Sequence, residues 1–315
     1  MRIGWIGFHL EGVPALRALV DRGYRVEGAV TLAPALAAGR SGAADYRSLC
    51  RDLGVPLLEV GDVNGPDGLS ALASLDLDLA FVIGWTQLVR APARGLVRLG
   101  LIGAHASLLP EGRGRAPVNW ALLRGRSRTG NTLLWLDDAV DGGDVIDQTV
   151  IPIGPYDTCA TLYERVAESN RDMILRALPR LLRGERPGRP QPAVASPPLP
   201  RRRPQDGRLD WSASSGEVYD MVRALTRPYP GAFSFLDGRR WLVWRCALLP
   251  GDGAGGARPG EVLGPLCSPV PEACGQVVRC GRGQVALLEL EGDGERLLGT
   301  SLSDRRWTGR CWSDA

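Results

Sequence analysis

The chain has 315 residues, 44% of them apolar and 23% charged, so it can bury a full core and has room for two domains. Its 38 basic and 35 acidic residues leave a net charge of only +3, with every basic residue an arginine, and this offers no electrostatic argument for a nucleic-acid or membrane partner. Seven cysteines (Cys50, Cys159, Cys246, Cys267, Cys274, Cys280 and Cys311) are odd in number and form no CxxC pair, which argues against a zinc site or a disulfide framework and points to a reducing cytoplasm.

The N-terminus, MRIGWIGFHLEG, reads as a strand over Arg2 to Ile6, after which His9 and Glu11 interrupt any hydrophobic region long enough for a signal peptide. No segment reaches the roughly 20 apolar residues that span a bilayer. GVPALRALVDRG then places Val13, Leu16, Leu19 and Val20 on one helical face that ends at Gly23. Gly4 and Gly7 do not form GxGxxG, so a nicotinamide cofactor has no support. Tyr24 to Thr31 reads as the next strand, Asp45 to Leu53 as a helix, and Pro56 to Val60 as a short strand. Leu77 to Ile83 and Leu99 to His105 are compact apolar runs. This β-α-β-α alternation predicts a Rossmann-like open parallel sheet with helices on both faces, whose ligand crevice lies outside the carboxyl ends of the strands. His105, one of only two histidines, falls at such an end.

Two more strands are expected at Asn131 to Leu136 and Val145 to Ile151, followed by a long helix from Thr158 to Leu182. The Pro- and Arg-rich stretch Arg183 to Gly207 reads as a linker, with the run of arginines at 201–203 solvated. Ser214 and Glu217 fit a capping box that opens a helix through Leu225. Beyond it, strands such as Arg240 to Ala247 and Gln284 to Glu291, separated by Gly/Pro turns, predict a small OB-like β-barrel. The expected division is a catalytic domain over residues 1–200 and a barrel domain over 208–315.

A histidine doing acid/base work at a strand end needs a carboxylate or carbonyl to set its tautomer, and a donor to hold charge developing on substrate. LDDAVDGGDVI offers Asp141 ahead of two glycines that let the backbone turn close to a ligand, although Asp-Gly-Gly-Asp alone also reads as a plain turn. Taken together, His-x-Ser-Leu-Leu-Pro at 105–110, Arg113-Gly114-x-x-Pro117, Trp120-Ala121 and Asp141-x-Gly143 resemble the folate-dependent formyltransferase family. The likeness extends to Trp211–Phe233, which is similar to the segment joining the two domains in two-domain, methionyl-tRNA formyltransferase-like members. GRAPVNW and PGAFSF most resemble the branch that formylates UDP-4-amino-4-deoxy-L-arabinose, among the sugar N-formyltransferases.

The resemblance implies transfer of a formyl group from 10-formyltetrahydrofolate to a primary amine. His105 and Asp141 inherit the catalytic roles. The family's oxyanion asparagine, two residues before the histidine, is Gly103 here, and loss of such a donor costs on the order of 3 kcal/mol. A slower formyltransferase, a pocket widened for a bulkier acyl group, a 10-formyltetrahydrofolate hydrolase and a non-catalytic folate-binding protein are the alternatives that this departure opens. The resemblance assigns Gly84, Trp85, Gln87, Leu88, Val140 and Asp141 to the folate pocket; Arg113 and Arg115 are expected to meet a phosphate or carboxylate of the acceptor with a bidentate fork, and Ser107 is a further acceptor-binding candidate. Without it, Trp85 and Leu88 read as core and the arginines as solvated surface.

For the acceptor, the loop TLAPALAAGRSGAAD carries one basic residue, Arg40, where the tRNA-formylating members carry a long basic insertion. Initiator tRNA is therefore disfavoured, and a small-molecule amine, such as an amino sugar on a nucleotide carrier, is the expected partner. No metal and no membrane partner are expected; a homodimer is allowed.

Overall fold

The computed structural model describes residues 1–193, 197–251 and 256–313. Parts of the expected linker (194–196) and of the expected barrel domain (252–255 and 314–315) lie outside the described residues. In chain order the elements are β1 (Ile3–Ile6), α1 (Val13–Asp21), β2 (Val26–Leu32), α2 (Pro34–Ala37), α3 (Tyr46–Leu53), β3 (Leu57–Val60), α4 (Pro66–Leu75), β4 (Leu79–Val82), α5 (Ala91–Arg94), β5 (Gly100–His105), α6 (Pro117–Leu123), β6 (Arg128–Trp135), β7 (Val145–Pro152), α7 (Cys159–Leu182), α8 (Ser215–Leu225), β8 (Ala232–Leu236), β9 (Arg239–Leu249), β10 (Val262–Leu266), β11 (Gly275–Arg279), β12 (Gln284–Gly292), β13 (Glu295–Leu298), α9 (Thr300–Ser303) and β14 (Trp312–Ser313). Two compact units result. The first comprises Met1–Pro117, Arg128–Ile153 and Thr161–Arg201; the second comprises Val118–Ser127, Gly154–Ala160 and Arg202–Ala315.

The first unit is built on a seven-stranded sheet ordered β3-β2-β1-β4-β5-β6-β7. The five strands β3 to β5 along this order are parallel, whereas β5–β6 and β6–β7 are antiparallel, so the sheet is parallel-rich with an antiparallel edge. Strand order reverses between β1 and β4, the switch point where ligands bind in open α/β sheets. Alternation along the strands feeds two cores. Trp5, Phe81, Ile102, Leu133 and Trp135 pack with residues of α1, α3 and α7 in one. Ile6, Ala80, Val82 and Leu101 pack with Leu72 and Leu75 of α4 and with Ala93 and Val97 in the other. Period-2 spacing puts Gly103 and His105 on the same face as Leu101. Helix α4 is not among the elements expected from periodicity, because Gly68, Ala71 and Ala73 dilute its apolar stripe.

Described residues of the stretch read as a linker are fastened to the first unit. Trp135 donates its indole N–H to Pro187 O (2.7 Å), the Arg186 guanidinium lies over the Trp135 ring (4.0 Å to the centroid), and Arg189 and Leu199 make isolated bridges with Val145 and Gly114. Extended Pro-rich backbone keeps its carbonyls and most of its N–H groups available, and a neighbouring strand or loop can use them.

In the second unit, Ser214 and Glu217 form the expected capping box at the start of α8. An antiparallel sheet runs β10-β11-β12-β9-β8-β14, with β13 on β12. Its two ends meet: Glu261 and Cys311 bridge, and Val262 N donates to Arg310 O and Gly309 N to Val262 O, so the sheet closes on itself as a barrel. Arg202 is not the solvated residue that its run suggests. It lies over the Trp120 ring (5.2 Å), donates to Asp206 O, and is held below the usual arginine range by burial. Among the described residues no helix is long and apolar enough to cross a membrane, and no group of His, Cys, Asp and Glu is placed to hold a metal ion.

Candidate active site

Strand β5 delivers His105 to the carboxyl edge of the sheet with its side chain nearly buried. The turn that follows is tightly closed. Ser107 N donates to His105 O (2.8 Å), Ser107 Oγ donates to Glu111 O (2.7 Å), and Thr132, opposite His105 on β6, donates to Ser107 O (2.7 Å). This brings the Gly112 carbonyl to 2.8 Å from His105 Nε2. A carbonyl only accepts, so Nε2 carries the ring proton and Nδ1 presents its lone pair.

The connection between β6 and β7 doubles back over the same face. Leu136 N donates to Leu101 O (2.8 Å) and Trp135 N to Asp144 O (3.0 Å), which folds residues 137–143 into a compact loop. Gly143 is required there: a Cβ would come within 1.9 Å of Trp135 O. Asp141 takes φ +52°, a left-handed conformation that disfavours most side chains. The loop sets Asp141 Oδ1 3.5 Å from His105 Nδ1, while Oδ2 accepts the Gly114 N–H at 2.9 Å. His105 thus has an oxygen beside each ring nitrogen, and a proton gained at Nδ1 meets a carboxylate already anchored by a backbone donor.

Gly103 and Leu136 face each other. A Cβ at Gly103 would lie 2.6 Å from Leu136 Cδ2 and 3.2 Å from its Cγ. The leucine stands in the space beside Gly103, so room for a bulkier acyl group there would require Leu136 to move.

The other expected site residues divide into two groups. Gly84 and Trp85 follow β4 at the switch point, where Phe8 N reaches Gly84 O and the Trp85 ring meets Phe8 edge-on (6.1 Å). The Trp85 indole N–H is buried with no partner among the described residues. Leu88 and Val140 are large apolar side chains left 59% and 44% exposed. Gln87 turns inward, accepting from Val63 N (2.9 Å) and donating to Gly61 O (2.9 Å); with Leu88, Asp62, Asn64 and Arg90 it borders a hollow of about 340 Å³. The Ser107 hydroxyl proton is engaged in its own turn. Arg113 donates to Gln191 Oε1 (2.7 Å) and keeps a buried Nε without a partner among the described residues, while Arg115 is exposed. The Gly112 carbonyl, the Gly114 N–H, Leu136 and Gln191 were not among the expected site residues. Backbone groups leave no mark in a sequence, and a glutamine in a Pro-rich stretch carries no pattern.

Comparison with known proteins identifies the family. The formyl transferase family profile matches residues 36–178, and the formyl transferase C-terminal domain profile matches residues 202–302. A methionyl-tRNA formyltransferase of Citrifermentans bemidjiense is 32% identical over 304 residues, covering 95% of this chain and 91% of the relative. Among solved structures, HypX of Aquifex aeolicus in complex with tetrahydrofolic acid superposes with a TM-score of 0.66 at 19% identity; 95% of this chain is covered, but it spans only 46% of that longer one. An N-formyltransferase of Helicobacter canadensis in complex with folinic acid and dTDP-3-aminofucose gives a TM-score of 0.65 at 15% identity, covering 91% of this chain and 98% of that one. At these identities the structural likeness speaks for the fold alone, and the sequence likeness carries the assignment: the chain belongs to the formyl transferase family and is an enzyme that transfers one-carbon formyl groups.

Proposed function

We propose that this enzyme takes the formyl group of 10-formyltetrahydrofolate and places it on the primary amine of a small molecule, with His105 as the acid/base group and Asp141 as its partner. The observation that carries the reading is the pair itself: Nε2 committed to the Gly112 carbonyl, Nδ1 facing an anchored carboxylate. Bound folate supplies an activated one-carbon unit to this edge of the sheet. The residues present suit a flat heteroaromatic group. Exposed Leu88 and Val140 offer apolar surface, Trp85 has an unused indole donor, and Gly84 lies at the switch point. Gln87 shapes that wall from within. His105 Nδ1 accepts the proton that the amine gives up and would return it to the folate nitrogen that loses the formyl group, while Asp141 stabilises the imidazolium so formed and orients its ring. No side-chain amide projects at position 103, so charge on the formyl oxygen goes without that donor.

A small acceptor is favoured by the segment between β2 and α3. It is compact, with α2 inside it, and its single cation, Arg40, is engaged with Leu36 O and Thr86 Oγ1 (2.9 Å) rather than offered to a phosphate chain. The second reading, transfer to methionyl initiator tRNA, is favoured by the 32% identical relative. Release of tetrahydrofolate from 10-formyltetrahydrofolate, measured with nucleotide-linked amino sugars and with methionyl initiator tRNA side by side, decides between them. Faster turnover with an amino sugar is expected. Faster turnover with the tRNA replaces the first reading by the second, and release at the same rate without any amine refutes both.

A further inference from the structure

The segment after α7 contributes a side chain to the site. It is anchored on one side by the Arg189–Val145 pairing (2.8 and 3.0 Å) and on the other by Leu199, whose N–H donates to Arg113 O (2.7 Å) and whose carbonyl accepts from Arg115 N (3.0 Å). Between these anchors stands Gln191. Its Nε2 donates to two carbonyls of the Asp141 loop, Asp141 O (2.9 Å) and Gly143 O (2.8 Å), and its Oε1 accepts from Arg113 Nη2 (2.7 Å). Both amide hydrogens and the amide oxygen are thus engaged, on two different loops.

Those two loops supply the oxygens beside both ring nitrogens of His105. The Gly112–Arg115 turn provides the carbonyl at Nε2 and the N–H that anchors Asp141 Oδ2; the 137–143 loop provides Asp141 itself. Asp141 sits at φ +52°, a conformation that a non-glycine residue leaves readily unless its surroundings hold it. The only side-chain donor on its carbonyl, among the described residues, is Gln191. Reaching no reacting atom, Gln191 acts by geometry: we propose that it is a positioning residue, locking the Asp141 loop to the Arg113 turn so that the carboxylate stays opposite His105 Nδ1. The proposal rests on the reading of His105 and Asp141 as the catalytic pair.

The test uses the 315-residue chain and the fact that it holds only two histidines, His9 and His105. Gln191→Glu is nearly isosteric, keeps an acceptor for Arg113, and removes both donations to the loop carbonyls; Gln191→Leu removes all three bonds and keeps an apolar stem. With ¹⁵N-labelled histidine, both variants should move the His105 ring-nitrogen signals and leave those of His9 in place. Turnover should fall about 10- to 100-fold, as expected when a catalytic group is displaced by an ångström or less, with KM for 10-formyltetrahydrofolate within about twofold of the wild type. In an Asp141→Asn background, Gln191→Leu should cost less than about twofold more, because its target is already disabled. Unmoved His105 signals in both variants, or full additivity with Asp141→Asn, overturn the proposal. Undiminished turnover in His105→Ala overturns instead the catalytic reading beneath it, whatever the His105 spectrum of the Gln191 variants shows about position.

Discussion

Leu136 occupies the place of a side chain at Gly103. Its Cδ2 stands 2.6 Å from where a Cβ on Gly103 would begin, and Gly103 lies two residues before His105 on the same face of β5. The two residues therefore form one unit, and changing either alone tests the wrong thing. Gly103→Asn by itself must push the leucine aside, with an expected loss of about 1–3 kcal/mol of stability and little gain in rate. Gly103→Asn combined with Leu136→Ala gives the amide its space, and turnover is expected to rise by up to about 10²–10³, the worth of one oxyanion donor. Steady-state kinetics on the two single variants and the double variant check this. A single Gly103→Asn as fast as the double would show that Leu136 is no obstacle.

His105→Ala is expected to lower turnover by about 10²–10⁴, the usual contribution of a positioned acid/base group. Binding of the folate, followed by quenching of tryptophan fluorescence, should change by no more than about twofold, since the residues proposed to face it lie on the loops at Gly84 and Val140. Asp141→Asn should also slow turnover, because a neutral amide cannot stabilise a positive ring as a carboxylate does. Folate affinity lost in parallel with turnover would mean that His105 binds the folate rather than moves a proton.

Much of this arrangement was legible in the sequence. The apolar runs at Leu77 to Ile83 and Leu99 to His105 gave adjacent strands, and the family resemblance of the motifs around His105 and the Asp-Gly-Gly turn pointed to the pair that the fold brings to 3.5 Å. Strand direction was not legible at β6 and β7, since a short apolar run has the same pattern in either orientation and only the tertiary pairing decides. Ser107 Oγ donates to Glu111 O and Arg113 Nη2 to Gln191 Oε1, contacts within the protein that no sequence pattern announces. Gln191 likewise was hidden by composition: its neighbours Pro190 and Pro192 mark a linker, and nothing local says that the segment returns to the site.

Alkaline pH should destabilise the fold through buried thiols. Burial pushes Cys50 up to about 11 and Cys159 and Cys280 up to about 12, from an ordinary 9.0. The folded state therefore keeps these protons where the unfolded chain loses them. Stability from this source is whole below about pH 9 and is lost as pH rises toward 12. Denaturant midpoints measured from pH 8 to 11 should fall, and Cys50→Ala with Cys159→Ala should flatten the slope. At pH 8 the exposed Cys267 should be the first thiol to react with a disulfide reagent. Faster labelling of Cys50 or Cys159 would contradict their burial.

In the second unit, Asn119 of α6 is buried and donates to Ala224 O at 2.6 Å. Ala224 lies in the last turn of α8, where carbonyls have no partner along the helix, so the asparagine supplies a donor that α8 cannot provide for itself. Asn119→Leu fills similar volume but leaves that carbonyl buried and unpaired. The expected cost is about 1–3 kcal/mol, read as a lower denaturation midpoint. Asn119→Asp should cost more, because a carboxylate placed against a carbonyl adds repulsion to the lost donation and must itself leave water. The order Asn, then Leu, then Asp in falling stability identifies the lost donation as the cause. If Asp were as stable as Asn, the bond to Ala224 would contribute nothing.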